Sequence, residues 1–355
     1  MKLKLRPSIE FYQISDDLYH VYDVSASRHF KLGAQEVGWL QLLDGTVTVE
    51  ELSQLIPKEY FETFLETVRR LGFLQGDEKK QDFSLFKIKL FMFDPTQLIA
   101  SLGKFANGYR LFLMWGSLPI LLINLLLLSA VVSQAQAIFD ANQLSWGMVV
   151  FYLFTVLVSG AMHEGSHALV ANAFNVKVPR IGLMLFYLHP AFYADVSGIN
   201  LLQDRRKRVE VLLAGIMANN LLAFFGLLVA SAPVSDTVLF YAVLFTGANL
   251  ILVLINLIPF VEYDGYYVFQ ELLGEPQFSR KALVNLLTPQ KKRVEYVVYG
   301  IISLLFQIGL VVSILTLVWR GVLLLWDSAW VDIVCLALIA LSIPAVLIFR
   351  VKEVK

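Results

Sequence analysis

The chain has 355 residues and a formal net charge of zero, with 57% hydrophobic and 16% charged residues, against roughly 45–50% and 25% for soluble domains. Mean hydropathy is +0.65, which excludes a disordered chain and argues against an ordinary soluble enzyme. The balanced charge gives no sign of a nucleic-acid partner. The single cysteine, Cys335, excludes an intramolecular disulfide and any multi-cysteine metal site, and reads as a packing residue.

The start, MKLKLRPSIEFYQISDD, has no apolar h-region, so no cleavable signal peptide is expected. FYQIS and LYHVYDV flank Asp16-Asp17, a turn signal, and read as a hairpin, with HFKLG at 29–33 as a third strand and an edge. AQEVGWLQLL, TVEELSQLI and KEYFETFLETVRRLGFLQ have helical spacing, and Thr48 with Glu51 resembles a capping box. Residues 1–80 are therefore expected to form a small α+β, winged-helix-like domain. AQEVGWLQLL contains no Lys or Arg, unlike a basic recognition helix. His20 and His29 lack metal-ligand spacing and read as ordinary surface or strand histidines. Residues 81–108, preceded by the start of the charged run DEKKQD, read as linker and membrane approach.

From Tyr109 onward, apolar stretches long enough to span a bilayer dominate. Six spans are expected, at about 109–132, 145–172, 208–232, 237–259, 294–319 and 328–349, making residues 109–355 a multi-pass α-helical membrane domain. Residues 173–208 carry six Lys or Arg and residues 265–293 carry five, whereas 131–145 and 232–237 carry none. This alternation predicts both termini in the cytosol. Between the second and third spans, IGLMLFYLHPAFYADVSGINLL (181–202) is apolar but interrupted. It reads as a hairpin or re-entrant segment, because irregular backbone at membrane depth is tolerated only against protein or water.

The second span ends in SGAMHEGSHALVANAF, where His163, Glu164 and His167 form H-E-x-x-H. Residues four apart share a helix face, so both imidazoles can reach one metal ion, with Glu164 beside them as a base. Ionisable residues inside a membrane helix demand a compensating partner, and a bound cation supplies one. A zinc site of this kind needs a third protein ligand and an open fourth position. Asp264, in NLIPFVEYDGYYVF, is the candidate. Pro259 breaks the helix before it, and the charge count puts Asp264 at the depth of the histidines. Glu262 and Asp195 are rivals, and His189 is a further potential ligand or a turn residue. Asn219 and Asn220, in LLAGIMANNLLA, lie at similar depth. Each amide either contacts substrate or a developing oxyanion, or bonds helix to helix, the latter favoured for Asn220.

These motifs resemble the site-2 protease family of intramembrane zinc metalloproteases: His163-Glu164-x-x-His167, then Gly215-x-x-x-Asn219, then Asn256-x-x-Pro259-x4-Asp264-Gly265, over residues 145–270. The likeness is greatest to the peptide zinc metalloprotease branch, in which FYADVSG (192–198) and DGYY (264–267) have counterparts. HFKLGAQEVGWLQLLDGTVTVEEL resembles the PqqD-like peptide-recognition domain often joined to them. The family's usual Gly-Pro pair is Gly215-Ile216 here, and Asp264 follows Tyr263 rather than a proline.

The resemblance implies Zn²⁺ held by His163, His167 and Asp264, with Glu164 and Asn219 as catalytic residues. It also implies a peptide or leader-peptide substrate, export or maturation partner proteins, and a place in the bacterial inner membrane. The expected function is an intramembrane zinc endopeptidase of peptide maturation or export. The alternative is a non-proteolytic membrane protein that binds or exports a peptide over a structural or vestigial metal site.

Overall fold

A computed structural model describes residues 2–25, 28–76, 87–141, 146–186, 189–288, 293–323 and 328–354. It divides into two compact units, Met1–Ala218 and Asn219–Lys355.

The first unit opens with the N-terminal domain. Strand β1 (Lys2–Lys4) precedes the hairpin β2 (Ile9–Ser15) and β3 (Leu18–Asp23), whose turn is the expected Asp16-Asp17, since Ser15 pairs with Leu18. Strand β4 (Arg28–Gly33) adds antiparallel to β3, giving the order β2-β3-β4 with β4 at an edge. Ala34 N–H donates to the Asp17 carbonyl at 3.1 Å in the same register. Alternation along the strand then turns the peptide groups of His29, Lys31 and Gly33 away from β3. Helix α1 (Ala34–Gln41), strand β5 (Asp44–Thr48), helix α2 (Val49–Leu55) and helix α3 (Lys58–Leu71) follow, and β5 pairs with β1.

Thr48 and Glu51 make the reciprocal bonds of the capping box at the start of α2. Helix α3 ends at Gly72, whose φ of 70° is the left-handed conformation glycine adopts without strain. Val21, Val37, Leu40, Leu52, Leu65 and Phe73 fill the core. Asp23 is fully buried, 2.6 Å from Arg6 and 3.0 Å from Arg28. Burial pushes its carboxyl up, but hydrogen bonds from Ser25, Arg28 and Arg6 and the charge of Arg6 outweigh this, leaving it below the ordinary range. His20 is buried in β3, and burial followed by the charge of Lys31 lowers its pKa.

DEKKQD lies outside the described residues. The stretch expected to be linker supplies strand β6 (Lys87–Phe93) and helix α4 (Thr96–Ser101). Helix α5 (Gly103–Ala141) and helix α6 (Trp146–Ala173) follow. The expected hairpin is then present as strand β7 (Ile181–Phe186) and strand β8 (His189–Ala194), continued by a 3₁₀ turn at Ser197–Leu201. Strand β6 pairs with β7, giving a sheet of order β6-β7-β8 with β8 at an edge. Helix α7 (Arg205–Ala230) begins in this unit, where Arg110 of α5 pairs with Glu210 at 3.2 Å.

The second unit contains the rest of α7, helix α8 (Asp236–Leu257), two short helices α9 (Asp264–Leu273) and α10 (Phe278–Leu287), and two long ones, α11 (Val294–Leu323) and α12 (Ala329–Val354). Tyr266, Phe278, Ala282, Tyr296 and Tyr299 form its buried cluster. Cys335 lies in α12 and is half-buried. Among the described residues, six helices are long and apolar enough to cross a membrane: Gly103–Val132, Trp146–Ala173, Arg205–Ala230, Asp236–Leu257, Val294–Arg320 and Trp330–Ile348. They match the six expected spans, and the chain has the architecture of a multi-pass membrane protein with a small N-terminal domain.

Candidate metal centre

Helix α6 carries His163 and His167 one turn apart, both buried, at 8% and 3% exposure. Their Nε2 atoms are 3.2 Å apart and their rings meet edge to face. His167 Nδ1–H donates to the backbone carbonyl of Val211 on α7 at 2.7 Å. That bond leaves the Nε2 lone pair of the neutral ring available and fixes the ring plane. Two nitrogens bound to one tetrahedral zinc ion at 2.0–2.1 Å stand about 3.3 Å apart, so the pair already has the spacing of two ligands on one ion.

The space they face is kept open by Gly215 of α7. A Cβ there would lie 2.5 Å from Nε2 of both histidines. Any side chain at 215 would therefore fill the volume beside both Nε2 atoms. Among the described residues, one group of His, Cys, Asp and Glu side chains is arranged to hold a metal ion: His163, His167 and Asp264, whose ligand atoms all lie within 4.8 Å of one another. Two nitrogens and one carboxylate oxygen are a donor set zinc accepts, with a fourth position left over.

Asp264 is the first residue of α9, where a carboxylate is favoured by the helix dipole. The next position must be glycine, because a Cβ at 265 would run into the backbone of Asn256 and Leu257 at the end of α8. Between α8 and α9 the chain leaves helical geometry at Ile258, whose ψ is 123°, and the following proline prevents its continuation. The carbonyls this frees find partners on α11. Tyr299 donates to Pro259 O at 2.6 Å, and Ser303 and Gln307 both donate to Phe260 O, at 2.9 and 2.8 Å. Arg350 of α12 in turn donates to Gln307 Oε1 at 2.7 Å.

Glu164 is half-buried, and its Oε2 accepts the backbone N–H of Ala194 in β8 at 2.9 Å. Phe192 lies against Gly160 of α6, seating the strand on that helix. Asp195 N–H donates to the Arg180 carbonyl at 2.8 Å. Alternation then directs the peptide groups of residues 190, 192 and 194 away from β7. Ser166 donates to Met162 O at 2.6 Å and so accepts the Tyr109 hydroxyl, also at 2.6 Å, which ties α5 to the turn before His167.

The other candidates are placed as follows. The Asp195 carboxylate is paired with Arg180 at 3.1 Å and accepts from Ser197 Oγ at 2.5 Å. Glu262 is exposed on the loop before α9. His189 starts β8, and its side chain lies outside the described residues. Asn219 is fully buried and donates through Nδ2 to Asn249 Oδ1 at 2.9 Å; Asn220 is also buried. Asn249, Arg180, Val211 and the α11 residues also make these contacts, and none of them is among the candidates the sequence offers. Tyr299, Ser303 and Gln307 had a legible signal, polar residues at four-residue spacing in an apolar span. The Val211 carbonyl had none.

The chain is similar to a curated Bacillus subtilis (strain 168) protein named "Putative peptide zinc metalloprotease protein YydH". The two are 28% identical over 136 residues, which is 38% of this chain and 52% of that protein. The chain thus spans about half the length of the relative it matches. No family model matches the chain, and no solved structure does.

Proposed function

We propose that the protein is an intramembrane zinc endopeptidase of the site-2 protease type, acting on a peptide or membrane-associated peptide precursor. The observation that carries this reading is the cluster of His163, His167 and Asp264, with Gly215 keeping its space open. The name of the similar Bacillus protein points the same way.

In this reading His163 and His167 bind zinc through Nε2 and Asp264 through a carboxylate oxygen. Zinc held there would supply Lewis acidity toward the scissile carbonyl and toward the attacking water. Glu164 takes the proton from the attacking water and hands it to the leaving amine. The Ala194 N–H holds its carboxylate in a fixed orientation. Asn219, one helical turn beyond Gly215 on the same face of α7, contacts the substrate or its oxyanion, and Asn249 orients its amide. A helical substrate must unwind before its peptide bond is accessible, and the outward-facing peptide group of Phe192 on β8 offers a point at which to extend it. The N-terminal domain, in the PqqD-like role, captures a leader peptide on the β4 edge, where Lys31 presents its backbone outward.

The test is Glu164→Gln in purified protein, assayed for zinc content and for cleavage of co-expressed candidate peptides. Hydrolysis should vanish while zinc stays near one per chain. Cleavage by the variant, or its failure to hold zinc, removes Glu164 from the role of base. Peptide binding without cleavage by the metal-loaded wild type favours the non-proteolytic export reading instead.

A further inference from the structure

The N-terminal domain is joined to the β7–β8 hairpin by a specific set of bonds. Arg180 lies just before β7. Its guanidinium donates to the carbonyls of Val24 and Ser25 at 2.9 and 3.0 Å, where the chain leaves β3. The same group holds the Asp195 carboxylate at 3.1 Å. A second bridge runs in parallel. Ser197 donates to Asp195, so its oxygen accepts the Tyr22 hydroxyl at 3.0 Å. Lys177 adds an exposed contact to Glu10 at 3.4 Å.

The anchor on the N-terminal side is firm, because Asp23, between Tyr22 and Val24, is itself gripped by Arg6, Arg28 and Ser25. On the hairpin side two neighbouring amides point in opposite directions. The Asp195 N–H goes to the Arg180 carbonyl and the Ala194 N–H to Glu164. The end of β8 is thus clamped between Arg180 and the carboxylate beside the histidines.

We propose that Arg180 is a positioning residue that couples the N-terminal domain to Glu164, making that domain a working part of the site as well as a receptor. The role given to Glu164 rests on the endopeptidase reading; the coupling itself does not. With the latch closed, the end of β8 holds the carboxylate in place. With it open, Ala194 loses its fixed position and Glu164 loses its partner, while the histidines and Asp264 are untouched. A peptide strand arriving on the N-terminal sheet would therefore be sensed where the bond is cut.

Hydrogen exchange resolved to single amides, on the full-length zinc-loaded protein in nanodiscs, tests the coupling without a known substrate. Arg180→Gln and Tyr22→Phe should each speed exchange at Ala194 and Asp195 about tenfold. Zinc content and the protection of α6 should stay unchanged. Tyr22→Phe removes one hydroxyl from the distant domain and decides the matter if Arg180→Gln fails to fold. Arg180→Lys should recover only part of the protection, since an ammonium cannot span both carbonyls and the carboxylate in the guanidinium geometry. A pool of casein-derived peptides provides the second readout. The saturated rate should fall in the variants that open the latch, with half-saturation little changed. Unaltered exchange at Ala194 in both latch variants overturns the proposal. So does a uniform loss of protection and zinc, which would make Arg180 a general structural residue. If the wild type cleaves none of the pool, the endopeptidase reading suffers, while the exchange data still decide the coupling.

Discussion

A methyl group at position 215 would sit 2.5 Å from both histidine Nε2 atoms, closer than non-bonded atoms approach. In an α-helix, however, alanine is favoured over glycine by about 1 kcal/mol. Gly215→Ala should therefore lower zinc affinity by roughly tenfold or more, the scale of disturbed ligand surroundings, while the clash with the two buried rings offsets the propensity gain in the zinc-free protein. Metal content after dialysis against a graded chelator, alongside thermal unfolding of the zinc-free form, separates the two effects. Asp264→Ala should empty the site, whereas Asp195→Ala should not, because Asp195 is committed to Arg180 and Ser197. The reverse pattern would make Asp195 the ligand. At this scale the sequence was informative where residues lie one helical turn apart. His163, Glu164 and His167 needed only helix periodicity. The Val211 carbonyl and the Ala194 amide were invisible, since every residue but proline carries both groups and only folding selects which ones reach the site.

The break between α8 and α9 shows how an element that supplies no candidate ligand can still position one. Tyr299, Ser303 and Gln307 on one face of α11 take up the carbonyls of Pro259 and Phe260. The loop leading to Asp264 is thereby held by side chains from a distant helix. Gln307→Leu keeps the apolar character of the span and removes one donor. It should speed zinc release to a chelator by roughly tenfold, with little change in the melting of the zinc-free protein. Gln307→Glu should not rescue, because a carboxylate retains the Arg350 contact but cannot donate to Phe260 O. Equal release rates in all three proteins would show that the loop holds itself. The long helices were readable from apolar run length, and the first hairpin from its turn. Strand β6 was not. Its partner β7 is about 90 residues away, and no local pattern reports a pairing across two membrane spans.

For the molecule as a whole, the charge pattern makes a prediction that the fold leaves open. With six positive residues in 173–208 and five in 265–293, the positive-inside rule predicts those segments on the cytosolic side. On a Cys335→Ser background, a cysteine replacing Asn142 should react with an impermeant thiol reagent from outside intact cells. One replacing Gln277, which is exposed before α10, should react only after lysis. Opposite labelling would carry the N-terminal domain and the site to the other side together.

The pairing of β6 with β7 also constrains how the protein can be made. Strand β6 leaves the ribosome before α5 and α6, while its partner follows both. At roughly 5–20 residues per second, β6 waits about 5–20 s for β7. During that interval Leu90, Phe91, Met92 and Phe93, which remain exposed even in the finished fold, have no sheet to join. A nascent apolar strand with an open edge invites mispairing. Only after two helices have entered the bilayer can the sheet close, β8 settle on α6 and Glu164 acquire its backbone partner. The order of synthesis thus leaves Glu164 without its Ala194 partner until both helices that separate β6 from β7 have been made.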